Sequence, residues 1–194
     1  MKILGISGSF RRGSYNTSLL GAAASLLPDG VEFELWGRLK EVPPYDADDD
    51  TEEAPASVAA FREAIADADA VLIATPEYNS SVPGQLKNAI DWASRPLATN
   101  PLRNKPVAVV GASTGAFGAV WSQAELRKVL AATGARVVEG EVAVGHAAAR
   151  FDEDGRLVDE NLLEQLEEVV AGLVAEAAAR CEDSASDPRL ASAA

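Results

Sequence analysis

The chain has one cysteine and one histidine in 194 residues. A lone Cys181 cannot build an internal disulfide or a thiolate metal centre. A Ser-His-Asp triad would have to recruit His146, and a zinc site of the usual kind needs several Cys or His ligands. His146 sits at the end of an apolar stretch and reads as a loop or capping residue. Long apolar runs are also missing: none approaches the roughly 20 residues of a membrane span. The N-terminal apolar stretch is short, contains Gly and Ser, and runs into Arg11-Arg12, which is not the pattern of a signal peptide. Basic residues are few, with 17 Lys and Arg against 30 Asp and Glu and a net charge of −13. That balance argues against a nucleic-acid partner, which needs a basic face. These absences point to a cytoplasmic protein with neither membrane nor nucleic acid as partner. Its chemistry is most easily carried by a cofactor.

What is present is a regular alternation. Short apolar runs at 2–7, 31–36, 70–75, 106–112 and 136–145 read as strands. Val71-Leu72-Ile73-Ala74 and Val107-Ala108-Val109-Val110 are continuously apolar, as strands covered on both faces are. Helical patterns fall at 15–27, 56–67, 83–95, 119–133 and 159–179, the last with Asp159 as a cap. The spacing predicts a doubly wound α/β fold: a five-stranded parallel sheet with helices on both faces. At this size the flavodoxin-like strand order 2-1-3-4-5 follows, with one domain over 1–180 and a frayed tail at 181–194. The acidic segment Pro43 to Pro55 reads as a solvated loop; its Asp46 and Asp48 to Asp50 lack EF-hand spacing, and no metal is expected.

The order 2-1-3-4-5 places a ligand crevice beyond the carboxyl ends of strands one and three. Two unusual loops fall there. The first, Gly8-Ser9-Phe10-Arg11-Arg12-Gly13-Ser14-Tyr15-Asn16, leads into a helix near Thr17. Such a turn gathers free backbone N–H groups at the positive end of a helix. Its glycines fail the G-x-G-x-x-G dinucleotide spacing, and Ser14 and Tyr15 replace the lysine and hydroxyl of a Walker loop. A hydroxyl-rich cradle for a terminal phosphate monoester remains, with Ser9, Ser14, Asn16 and Thr17 as donors and Arg11 as a charged one. The bland alternative is that Arg11 and Arg12 are solvated charges. The second loop opens Pro76-Glu77-Tyr78-Asn79 and runs to Pro83 before an amphipathic helix. Tyr78 suits a flat ring beside it, or packs on the loop itself. A third, Gly111 to Gly118, allows close backbone approach to a ligand at the same crevice.

With these motifs the chain resembles the NADPH-dependent FMN reductase family, flavodoxin-like enzymes that include quinone, azo-dye and chromate reductases. The resemblance runs from about residue 1 to 178. It rests on Gly-Ser-x-Arg-x-x-Ser-x-Asn at 8–16 and on the long pattern Pro76 to Trp92, with echoes at Ser113-Thr114-Gly115, 126–130 and 151–157. It implies FMN and NADPH (or NADH) as cofactors. FMN would be held by Ser9, Arg11, Ser14, Tyr15, Asn16 and Thr17 at the phosphate end, by Pro76, Glu77, Tyr78 and Asn79 along the ring, and by Ser113 and Gly115 from the third loop. No side chain is expected to act as a catalyst. Hydride would pass from NAD(P)H to flavin N5, then to a quinone, an azo compound, free flavin or a metal oxyanion in a ping-pong cycle. A homodimer or homotetramer is implied. Where the family often has paired glycines after the third loop, this chain has Gly118-Ala119-Val120-Trp121. Two other functions fit the same residues: a flavodoxin-type electron carrier needing a separate reductase, and a scaffold without flavin.

Overall fold

The strands at the centre of the sheet are apolar along most of their length because helices cover both of their faces. The computed structural model describes residues 1–51 and 53–186. In chain order these form β1 (Lys2–Ser7), α1 (Tyr15–Ser25), β2 (Glu32–Trp36), α2 (Ala56–Asp67), β3 (Ala70–Thr75), α3 (Gly84–Ala93) and β4 (Pro106–Ala112). They continue with α4 (Val120–Ala132), β5 (Arg136–Val137), β6 (Ala143–Val144) and α5 (Glu160–Ser186). Every residue of β3 and β4 is buried. The sheet is parallel in the order β2-β1-β3-β4-β5, the order expected. Side chains alternate between two cores. Leu4, Ile6, Val71 and Ile73 meet α2, α3 and α4 through Phe61, Ile90 and Leu126. Ile3, Leu72 and Val110 meet α1 and α5 through Leu19, Leu20, Leu166 and Val170.

The fifth strand departs from expectation. In place of one strand over 136–145 there are two short pieces, β5 and β6, each pairing with β4. The interruption falls at Glu139-Gly140-Glu141, where Gly140 takes φ +120°. Arg127 of α4 fills the gap: its guanidinium donates to Val109 O of β4 (3.0 Å) and to Gly140 O (2.6 Å), and lies 3.6 Å from the Glu141 carboxylate. A side chain thus supplies the hydrogen bonds that the missing ladder would have made.

Two loops also differ. The Pro43 to Pro55 segment is anchored as well as solvated. Pro43 O accepts from Asn88 Nδ2 (2.8 Å) and Trp92 Nε1 (2.9 Å), the Tyr45 ring meets Trp92 edge-on, and Asp50 pairs with Arg62. At the other end, α5 runs to Ser186 and takes in 181–186 of the segment expected to fray; 187–194 lie outside the described residues. Its start is as expected, with Asp159 Oδ1 accepting from Leu162 N (3.1 Å).

Lys105, just before β4, is buried at the sheet end remote from the loops after β1 and β3. Its ammonium donates to Ala66 O and Ala68 O, at the negative end of α2. Burial, reinforced by Arg180, pushes its pKa down from 10.5 to about 8, against the opposing pull of Asp69 and Asp67. The folded chain therefore releases this proton before the unfolded chain does, and stability from this residue rises as pH climbs from about 8 to 10.5. Urea unfolding of the wild type and Lys105→Met across that range should show the difference moving in favour of the wild type. A difference that stays constant with pH would mean Lys105 titrates normally.

Candidate functional site

Gly8 brings two loops into contact. Its N–H donates to Ala74 O at the end of β3 (2.8 Å). A Cβ at this position would stand 2.8 Å from Leu86 Cδ2 and 3.2 Å from Pro76 Cδ, so glycine lets the loop after β1 lie against the loop after β3 without displacing either side chain. Asn16, in the first turn of α1, ties in the third loop. Its Nδ2 donates to Ala112 O (2.9 Å) and its Oδ1 accepts from Ala112 N (3.0 Å), both bonds buried. The carboxyl ends of β1, β3 and β4 thereby converge.

Between them lies a cleft of about 200 Å³. It brings together nine of the twelve residues singled out from the sequence: Ser9, Arg11, Ser14, Tyr15, Asn16, Pro76, Glu77, Tyr78 and Ser113. Ala112 and Thr114 also line it, both from the third loop and neither among those twelve. Three expected residues lie outside the cleft lining. Thr17 Oγ1 turns to Ser7 Oγ (3.0 Å) beneath the loop. Asn79 occupies a tight turn at φ +53°, followed by Ser80 at φ +59°, with Tyr78 and Ser81 exchanging backbone bonds across it. Gly115 shapes the third loop, donating to Ser113 Oγ (3.1 Å) and accepting from His146 N (2.8 Å). Asn16 borders the cleft, but both ends of its amide are engaged by Ala112, so it positions the loops.

The chemistry of the cleft is that of an anion and a ring. Ser14 is the N-cap residue of α1, yet its hydroxyl makes no capping bond. Its Oγ is buried and has no hydrogen-bond partner. The first turn of α1 contains no acid of its own to neutralise the positive helix end. The Arg11 guanidinium lies over the Tyr15 ring, 5.1 Å from its centroid, and Tyr15 in turn stacks on Phe151 at 5.5 Å. Tyr78 is half exposed at the mouth.

The Pro76–Pro83 loop is latched to α4 at two points that sequence reasoning missed. Glu77 Oε2 accepts from Trp121 N and Ser122 N (3.1 Å each), capping a helix whose own N-cap, Ala119, has no side-chain oxygen. Glu125 Oε2 accepts from Ser81 Oγ (2.6 Å) and Val82 N (3.2 Å). Those bonds, Ser81 first, hold the Glu125 carboxyl below its ordinary pKa. Both links cross more than 40 residues, and no local pattern announces them.

A parallel sheet in this order, with a donor-rich cleft beyond the carboxyl ends of β1 and β3, defines a flavodoxin-like mononucleotide-binding protein. Residues 1–149 match the family model of NADPH-dependent FMN reductases. The chain is 44% identical over 174 residues to an NAD(P)H-dependent FMN reductase of Pseudomonas aeruginosa, covering 89% of this chain and 93% of that one. It is 40% identical over 168 residues to a 2-hydroxy-1,4-benzoquinone reductase of a Burkholderia species, covering 86% and 91%. Among solved structures, the flavoenzyme NAD(P)H:(acceptor) oxidoreductase FerB of Paracoccus denitrificans superposes with a TM-score of 0.80 at 34% identity, covering 92% of this chain and 97% of FerB. The chain belongs to the NADPH-dependent FMN reductase family.

Removing the Glu77 cap should loosen the loop that carries Tyr78. Glu77→Ala is expected to lower stability by about 1 kcal/mol, the usual worth of a helix cap, in urea unfolding at pH 7. Glu77→Gln should recover part of that loss by restoring an acceptor. Two variants as stable as the wild type would show that the capping bonds contribute nothing.

Proposed function

We propose that this protein is an FMN-dependent NAD(P)H:acceptor oxidoreductase whose acceptors include quinones. The observation that carries the reading is Ser14. A buried hydroxyl without a partner is costly, and a phosphate oxygen at the mouth of α1 would satisfy it. Ser9 and Arg11 line the same place and add a hydroxyl and a charged donor. Those three residues would hold the FMN phosphate. Pro76, Tyr78, Ser113 and Thr114 would line the ring. At about 200 Å³ the cleft is below the roughly 300 Å³ where typical ligand pockets begin, so it would grip the flavin without enclosing it. An open face suits a cofactor that must meet a nicotinamide and then an acceptor.

The chemistry that bound FMN supplies is acceptance of a hydride from NAD(P)H and delivery of the electrons to a small acceptor. The chain's part is placement and orientation. The carboxylate in the lining, Glu77, is engaged as a helix cap, and the cleft lining holds no histidine or cysteine. The quinone class of acceptor is supported by the Burkholderia relative; azo compounds, free flavin and metal oxyanions fit the same open site. The reading carries with it a cytoplasmic location, where reduced nicotinamide is available.

Reduction without a partner separates this from an electron carrier. The purified protein with FMN and NADPH, free of oxygen, should lose its visible flavin absorbance within seconds to minutes. Bleaching that waits for an added reductase would make it a carrier and overturn the enzyme reading. Arg11→Ala should weaken FMN by about tenfold, the scale of one charged hydrogen bond, and leave riboflavin affinity nearly unchanged. Equal weakening of both would remove Arg11 from the phosphate.

A second copy of the chain would complete the site. Phe117 and Trp121 are exposed and meet edge-on at 4.9 Å, with Trp121 N on Glu77 and exposed Tyr78 one residue further along that loop. Exposed aromatic patches of this kind mark association surfaces. Trp121→Lys should lower the molecular mass seen by sedimentation at micromolar concentration. A wild type already monomeric there would rule the surface out.

A further inference from the structure

The loop that forms one wall of the cleft is also the wall of a second pocket. Ser9 and Arg11 border both. The second pocket, about 280 Å³, opens beyond the carboxyl ends of β1 and β2 and is lined by Phe10, Trp36, Gly37 and Lys40 besides these two. Nothing in the function proposed so far uses it.

Its lining combines flat apolar faces with positive charge. Phe10 and its neighbour in the pocket, Leu35, are 38% and 45% exposed, unusual for large apolar side chains side by side. The Lys40 ammonium lies 5.4 Å from the Phe10 ring centre, and the Arg38 guanidinium lies 5.5 Å from that of Trp36. Arg38 also pairs with Glu41 at 2.8 Å. Lys40 and Arg11 bring two cations to the pocket of a chain of net charge −13, whereas Arg38 lies outside the lining and is neutralised by Glu41. Trp36 is more than nine-tenths buried, and its Nε1 has no hydrogen-bond partner. An indole N–H left without an acceptor in a buried place asks for one. Ser14, in the lining of the first cleft, and Trp36, in that of the second, thus each carry an unmet hydrogen bond.

We propose that this pocket is a subsite for the phosphate-bearing adenosine end of a dinucleotide, resting on the FMN reading of the neighbouring cleft. In dinucleotide-binding doubly wound sheets the end of β2 is where an adenosine ribose is read, by an acid when its 2′-hydroxyl is free and by an arginine when it is phosphorylated; this chain lacks their G-x-G-x-x-G turn and shares only the position. Here β2 ends at Trp36 and is followed by Gly37-Arg38, with no acid at either place. Lys40 takes the phosphate, the purine lies on Phe10, and Trp36 donates to an oxygen of the nucleotide. The volume suits a nucleoside-sized group and not a whole dinucleotide. Two sources have this chemistry: the adenosine 2′,5′-bisphosphate half of NADPH, and the AMP half of FAD continuing from the phosphate that Ser9 and Arg11 hold.

Gly37 provides a clean block. A Cβ there meets nothing within 4 Å, and its φ lies outside the left-handed region, so a larger residue projects into open space without backbone strain. The test uses protein saturated with FMN, so that the first cleft is already filled. Adenosine 2′,5′-bisphosphate and, separately, ADP are titrated by calorimetry. At least one should bind at a single site. Lys40→Ala should weaken it about tenfold, the worth of one charge-assisted contact, and Gly37→Leu should abolish it, both with FMN affinity unchanged. A higher KM for NADPH with an unaltered KM for NADH in Lys40→Ala assigns the pocket to NADPH. FAD binding that is tighter than FMN in the wild type, an advantage lost in Gly37→Leu, assigns it to FAD. No nucleotide binding to the FMN-loaded wild type, or binding indifferent to both variants, overturns the proposal. Failure of FMN itself to bind would instead overturn the flavin reading.

Discussion

The site depends on one amide. Asn16 and Ala112 are 96 residues apart, yet they exchange two buried hydrogen bonds as though paired across a ladder. One bond fixes the carbonyl at the end of β4, the other its N–H, and both come from the first turn of α1. An aspartate here would set a carboxylate against a carbonyl, and an alanine would leave a buried backbone pair unmet at about 1–3 kcal/mol for each group. With α1 anchored to β4 and Gly8 pressed against Pro76 and Leu86, three loops from distant parts of the chain face one another. Everything chemical in the cleft is downstream of that convergence.

Much of this arrangement is legible in the residues themselves. The unbroken apolar runs of β3 and β4 mark central strands because both faces are covered. The helix boundaries follow from the spacing of Leu and Ala stripes to within a residue or two for α1, α2, α3 and α4, with a larger shift at the end of α5 alone. The switch point between β1 and β3 locates the cleft before any coordinate is consulted, and Ser9, Arg11, Ser14 and Tyr78 fall on it. What stays hidden is the long-range side-chain to backbone bond. Asn16 looks like a phosphate donor because its loop is full of them, and only the position of Ala112 reveals that its amide also ties two loops together. Glu77 has the look of a site carboxylate and is the cap of a helix more than 40 residues on. The break in the fifth strand is invisible because Arg127, which makes it tolerable, belongs to the preceding helix.

These hidden bonds share a purpose. The Pro76–Pro83 loop is held to α4 through Glu77 at one end and Glu125 near the other, and the first loop is held through Gly8 and Asn16. A cleft assembled in this way is held in shape by the chain's own bonds, and a ligand that fits it loses little ordering entropy on binding. Charge follows the same logic. The chain as a whole repels anions, so attraction has to be local, and it is concentrated in Arg11 and Lys40 near a helix end whose first turn has no acid.

The interrupted fifth strand has a further effect, at the rim of the sheet. An edge with free N–H and C=O groups in a straight row invites another sheet to add to it. Here that margin is two residues, a kink, and two residues more, with a guanidinium seated in the kink. The opposite margin, β2, carries Glu32 and Glu34, both exposed. Growth strand upon strand is thereby obstructed on either flank, leaving side-chain surfaces to mediate any contact between molecules.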